Sequence, residues 1–177
     1  MTEILSGVRL VPLGRQHLDG VGRLVRDPSS VRHTRIPEPA PPDFAEWWLE
    51  RYEAGRRERT REAFAIEDDT GAFLGVALAP SIERVERSAE LGYIVAPEAR
   101  GRGVGTEALR LLSEWAFSEQ GVERIELLIA VDNEPSKVVA ARCGYIREGV
   151  LRSVYVKEGV RDDLEVWSRL PSDPPPV

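Results

Sequence analysis

The chain has 177 residues, 42% of them hydrophobic and 31% charged, with a formal net charge of −6. That length suits one domain with a full core, and the acidity argues against nucleic acid as a partner and reads first as solubility. A lone cysteine, Cys143, excludes an intrachain disulfide, and the only histidines, His17 and His33, lack metal-ligand spacing, so no metal is expected.

In chain order, "GVRLVPL" alternates as a first strand, and "HLDGVGRLVRD" has helical spacing at Leu18, Val21, Leu24 and Val25. The proline-rich "PSSVRHTRIPEPAPP" reads as a loop. "DFAEWWLERYEAGRRERT" predicts a second helix, with Asp43 as N-cap and Phe44, Trp47, Trp48 and Tyr52 on its apolar side. On that spacing the two tryptophans and Tyr52 read as core rather than as substrate wall. "EAFAIEDDTGAFLGVALAP" predicts a hairpin turning at Asp68-Asp69-Thr70-Gly71, and "SAELGYIVAP" a further strand halted by Pro97. A helix follows from Val104 to Gln120, with Leu109, Leu112, Trp115 and Ala116 facing inward and Gly121 as terminator.

"RIELLIAVD" is apolar on both faces and predicts a central strand covered on both. "PSKVVAARCG" predicts a short helix with Pro135 in its first turn, and Cys143 there reads as buried packing. The last strands, "GVLRSVYVKEGVRDDLEVWSRL", turn near Lys157-Glu158-Gly159, and a disordered tail is expected over 171–177. The element order implies an α+β fold in a single domain over residues 1–170, with a mixed, mostly antiparallel sheet flanked by helices. No stretch approaches the ~18–20 apolar residues of a membrane span, and "MTEILSGVRLVPLG" lacks a signal-peptide pattern, so a cytoplasmic location is expected.

The stretch "ARGRGVGTEA", residues 99–108, joins a strand to a helix through three glycines. Free amides and the helix dipole make such a junction an anion site. Gly101, Gly103 and Gly105 let backbone approach a ligand, while Arg100, Arg102 and Thr106 add charge and a hydroxyl. The spacing is neither a P-loop nor a dinucleotide fingerprint. On this loop alone, an exposed flexible turn is an equal reading.

The run "ELGYIVAPEARGRGVGTEALRLLSEWAF" resembles the coenzyme-A site of the GNAT superfamily of N-acetyltransferases. Arg100, Gly103 and Gly105 fall on that motif. "LLIAVDNEPSKVVAARCGYIREGVLR" is similar to the RimJ/RimL-type ribosomal-protein N-terminal acetyltransferases, through Asn133, Ser136, Gly144-Tyr145 and Glu148-Gly149. Gly159 and Asp163 extend the likeness, which covers residues 89–167; the N-terminal half matches in element order only.

The resemblance implies a GNAT-like fold and acetyl-CoA as co-substrate. It sets main-chain groups of Ile94 and Val95 beside the pantetheine arm. Backbone amides of Arg100, Gly101, Arg102, Gly103, Val104, Gly105 and Thr106 would cradle the pyrophosphate, with Asn133 and Ser136 on the far side of the thioester. It implies acetyl transfer to a primary amine, on a protein N-terminus or a small molecule, and admits a homodimer. Glu90, on the strand before the loop, is the candidate base; the plainer reading is a solvent-facing residue or a partner for an arginine, and relay through water is equally open. Ser136 is the candidate acid for the thiolate; the plainer reading is a first-turn serine bonded to backbone. Two departures stand out. Ala140 occupies the place of a tyrosine acid found in many members, and Tyr155 aligns with a glutamate base found in some. A non-catalytic acyl-CoA-binding module is therefore the alternative, and a nucleotide-binding domain using the loop alone is a third reading.

Overall fold

The computed structural model describes residues 7–175. The reading of residues 1–6 as free of a leader, and the last two residues of the expected tail, lie outside that range.

Seven strands form one sheet in the order β1-β2-β3-β4-β5-β7-β6: β1 (Arg9–Pro12), β2 (Glu62–Glu67), β3 (Phe73–Glu83), β4 (Ser88–Val95), β5 (Arg124–Ala130), β6 (Ile146–Lys157) and β7 (Val160–Arg169). Every pairing is antiparallel except β4 with β5. Among the described residues five helices flank it: α1 (Leu18–Arg26), α2 (Pro28–Val31), α3 (Phe44–Glu58), α4 (Val104–Ser118) and α5 (Glu134–Arg142). This is the expected α+β architecture.

Alternation along the strands sorts the core onto two faces. Phe64, Ile66, Leu91, Ile125, Leu127 and Ile129 pack with Leu109 and Leu112 of α4. Ala63, Ala65, Val76, Leu78 and Ile94 pack with Val21 and Leu24 of α1 and with Trp48, Leu49 and Tyr52 of α3. Leu109 and Ile125 are fully enclosed; truncating either to alanine costs about 2–5 kcal/mol.

Four local readings differ from the sequence expectation. Residues Pro28–Val31 inside the expected loop form α2, because Asp27 caps it by accepting from the Ser30 amide at 2.8 Å and Pro28 stands in its first turn. Asp43 sits at the start of α3 but its side chain makes no cap bond; its backbone carbonyl takes the Trp47 amide at 3.0 Å. Trp47, expected on the apolar side, is 51% exposed. The fourth concerns β5, which is covered fully on one face and only partly on the other: Ile125, Leu127 and Ile129 are buried, while Glu126 and Leu128 are half-buried.

The reason lies in how β4 and β5 separate. They pair only at Ser88–Glu90 against Arg124–Glu126. Beyond Glu90 the strands diverge. Beside that point Ala79 and Pro80 of β3 face only Leu91 of β4, a bulge that sharpens local twist. The outcome is a gap in the middle of the sheet.

Candidate active site

A cavity of about 700 Å³ occupies the gap. Its floor is Glu90–Ile94 of β4 and Leu127–Ala130 of β5; Asn133 and Ser136 of α5 border one side, and α3 with residues 33–37 border the other. The two sides have different chemistry.

Beyond the first side, where β4 runs out of the cavity, stands the glycine stretch. The Ala96 amide bonds to the Leu74 carbonyl of β3, so by strand alternation the main-chain groups of Tyr93 and Val95 point toward the gap. The Val95 carbonyl accepts from Arg100 Nε at 3.1 Å. The rest of the Arg100 guanidinium turns back onto Ser29 Oγ (2.9 Å) and Ser30 Oγ (2.8 Å), and the Arg100 amide is taken by the Pro97 carbonyl. Arg100 therefore ties β4 to the α1–α2 junction instead of pointing its charge outward. From Gly101 to Thr106 the amides have no backbone acceptor, the first bond at the mouth of α4 being Glu107 N–H to the Gly103 carbonyl at 3.1 Å. Gly103 caps α4 at φ +82°, a conformation that side chains resist. Gly105 has a different constraint: a Cβ there would lie 3.0 Å from the Tyr93 ring, so its bareness lets α4 approach β4. Arg102 is exposed and Val104 is buried in the core.

Asn133 caps α5, its Oδ1 accepting the Ser136 amide at 3.3 Å. The Ser136 hydroxyl is thereby left facing the Tyr93 hydroxyl at 3.5 Å, a long hydrogen bond. Burial pushes the Tyr93 phenol up to about 12, so it holds its proton at neutral pH. Tyr93 is a site residue that sequence reading missed. It lay inside the quoted strand, and only the fold shows that it reaches α5.

The second side holds Glu90. Strand alternation places it on the α3 face, with Ile94. Burial raises its carboxyl above the ordinary range, Arg35 pulls it down, and Glu126 beside it on β5 raises it again. Tyr52 also lines this side, its phenol pushed up to about 12 by burial. Trp48 and Tyr52 are core residues as expected, yet both also form cavity wall, with exposed Trp47 at the rim. Tyr155 donates to the Thr34 carbonyl, and Lys157 Nζ to the Val31 carbonyl at 2.6 Å. Together they clasp the end of α2 and the loop after it, and burial raises the Tyr155 phenol further above its ordinary value. A phenol so placed is no base.

Other motif positions hold the frame. Ala140 is fully buried between α5 and the sheet. Cys143 is buried, its thiol pushed up to about 11 and directed at the Thr106 carbonyl 3.4 Å away, which makes it packing rather than a nucleophile. Tyr145 shares a 2.7 Å hydrogen bond with Ser113 of α4. Glu148 accepts from Arg124 and from Ser168. Asp163 accepts the Ser153 amide at 2.7 Å, supporting the β6 bulge where Ser153 has φ +56°. Among the described residues no group of three His, Cys, Asp or Glu side chains is placed to hold a metal, and no helix is long and apolar enough to cross a membrane.

A splayed mixed sheet, a glycine-rich helix start on one strand and a capped helix on the next define an acyl-coenzyme-type transferase scaffold. The family model described as "Acetyltransferase (GNAT) domain" matches residues 8–146, and the chain belongs to that family. YdaF of Bacillus subtilis (strain 168), an N-acetyltransferase by name, is 36% identical over 100 residues, 56% of this chain and 55% of that protein. The ribosomal-protein-serine acetyltransferase of Escherichia coli (strain K12) is 30% identical over 98 residues, 55% of each chain. The match thus spans about half the length of these curated relatives. The crystal structure of spermidine N-acetyltransferase from Vibrio cholerae in complex with CoA and spermine superposes with a TM-score of 0.84 at 25% identity, covering 95% of this chain and 98% of that one.

Proposed function

We propose that this chain is an acetyl-CoA-dependent N-acetyltransferase that passes an acetyl group directly to a primary amine within one ternary complex. The gap carries the reading: β4 leaves β5 after Glu90, the cavity there holds that half-buried carboxylate, and β4 runs on from the cavity to a helix start with free amides. Pantetheine runs beside the main-chain groups of Tyr93 and Val95, those of Ile94 being turned toward β3. Its diphosphate rests on the amides of Gly101 to Thr106, with Arg102 near it, and Asn133 and Ser136 flank the thioester. Amides at a helix mouth suit an anion, and a strand edge suits an amide chain.

The amine nitrogen attacks the acetyl carbonyl carbon; a C–N bond forms and the C–S bond breaks. Glu90 takes the amine proton, directly or through water, and releases it to solvent. A carboxylate raised by burial is the better base for this task. The departing thiolate takes the Ser136 proton, which the Tyr93 hydroxyl behind it resupplies, and solvent returns a proton to Tyr93. Holding both substrates in one cavity supplies about 7–11 kcal/mol of the barrier in favourable cases.

The acceptor is a protein N-terminal amine or a small amine; the relatives' names include ribosomal protein and spermidine. The proposal places the enzyme in the cytoplasm, in keeping with one buried cysteine and no expected disulfide. It includes a homodimer, with β6, an edge strand exposing Ile146, Val154 and Val156, as the surface. One observation favours a second reading, a non-catalytic acyl-CoA-binding module: Ala140 lies in the core and Tyr155 is tied to Thr34. Thiol release from acetyl-CoA across a mixed amine panel, with mass spectrometry of the products, separates the two. Release with an acetylated amine supports the enzyme, and coenzyme binding without release supports the module.

A further inference from the structure

The cavity's charge runs against that of the whole chain. The protein carries −6, yet Arg35, Arg51 and Arg61 line the cavity, and among the described residues Glu90 is the only carboxylate that does. The three arginines come from separate places: the loop after α2, the middle of α3 and the α3–β2 turn. Among the described residues none of them has an ion pair within 4.0 Å or a side-chain hydrogen bond. Neighbouring Arg56, by contrast, grips Glu62 at 2.6 Å, and Arg124 is held by both Glu126 and Glu148. His33, the remaining basic group on the wall, lies 3.1 Å from Asp132.

Their charges bear on the cavity's own groups. Arg35 acts on Glu90 and on Tyr155, while Arg51 and Arg61 both act on Tyr52. The Arg51 guanidinium is held 5.6 Å over the Trp47 ring, which keeps it at the rim. Three uncompensated guanidinium groups around one carboxylate repel a polycation. They suit a ligand with an anionic end for the arginines and an amine for Glu90.

We propose that the acceptor is an amine that carries a carboxylate, its acid group held by Arg35, Arg51 and Arg61 and its amine delivered to Glu90. This rests on the N-acetyltransferase reading and narrows its substrate class. The transfer step is unchanged: the nitrogen forms the C–N bond, the C–S bond breaks, the amine proton goes to Glu90 and the thiolate is protonated to coenzyme A thiol. Free amino acids and peptides with a free N-terminus beside acidic residues both present this chemistry.

The test is thiol release by the full chain with acetyl-CoA and four acceptors: glutamate, its amidated analogue, a peptide with a free N-terminus followed by aspartates, and spermidine. A carboxylate-bearing acceptor should show kcat/KM at least about tenfold above both its neutral counterpart and spermidine, mainly through KM. Glutamate against peptide identifies the source. Arg51→Gln and Arg61→Gln should each cut the preference for carboxylate over amide by about threefold or more, with Arg51→Lys recovering part of it. Spermidine used as well as or better than the acidic acceptors overturns this proposal and leaves the acetyltransferase reading standing. So does a carboxylate preference that the arginine variants leave unchanged. No thiol release with any amine overturns both.

Discussion

The two sides of the cavity are built from different kinds of sequence. The first, from β4 through the glycine stretch to α4 and on to the start of α5, works through main chain: free amides at Gly101–Thr106, a strand edge at Tyr93–Val95 and a cap at Asn133. The second works through side chains brought from far apart: Glu90 on β4, Arg51 and Tyr52 on α3, Arg35 on a loop, and Tyr155 on β6 locking that loop from 121 residues away. Backbone recognition requires glycines, caps and strand ends at fixed spacing, so it leaves a pattern. Side-chain recognition leaves none, because the fold alone decides which residues meet.

Substitutions on the two sides should fail differently. The largest effect is expected at Glu90. Glu90→Gln should lower kcat by about 100-fold or more while coenzyme affinity holds. Because the base works deprotonated, the wild-type rate should rise with pH through a value above the ordinary carboxylate value of 4.5, and the variant should lose that limb. Pre-steady-state and steady-state thiol release across pH check this.

Next comes the main-chain side. Gly103→Val forces a branched residue into φ +82°, a strain of about 1–2 kcal/mol that turns the helix-start amides away. Coenzyme A affinity by calorimetry should fall about tenfold, with the acceptor KM little changed. Tyr155→Phe should do the reverse. It removes the bond to the Thr34 carbonyl, so the acceptor KM should rise by about two- to tenfold while coenzyme KM stays put. If each variant raised both KM values alike, the two sides would not be separate.

The smallest effect lies outside the cavity. Arg124, with Ser168 beside it, holds the Glu148 carboxyl at about 2. A depressed folded-state value stabilises the fold above the ordinary 4.5, and the gain is lost as pH falls toward 2. Glu148→Gln should therefore flatten the acid limb of a thermal-stability profile modestly, since the pair is partly exposed.

Much of the fold was legible because adjacent residues carried it. Turn residues at Asp68–Gly71 and Gly159, the first-turn Pro135 of α5 and the terminator Gly121 all sit where the structure needs them. One signal was present and unread: Asp27-Pro28, a cap followed by first-turn proline, marks α2. The apolar run of β5 misled, because composition reports affinity for a core and not whether a neighbouring strand stays close enough to supply one. Leu128 is half-buried only because β4 has already departed. In α3, helical spacing placed Trp48 and Tyr52 correctly, but Trp47 lies at the helix edge, where the cavity rather than the core meets it. The glycine stretch kept its expected place, whereas Arg100 did not, since its partners Ser29 and Ser30 lie about seventy residues upstream.

The most direct test of the central claim is a crystal structure of the full chain with coenzyme A and an acetylated acceptor. In that complex the thiol sulfur should lie in the gap between β4 and β5, near Ser136 and Tyr93, the diphosphate on the amides of Gly101–Thr106, and the acetylated nitrogen should face Glu90. A coenzyme bound outside the gap, or a product nitrogen far from Glu90 with no water between them, would contradict it.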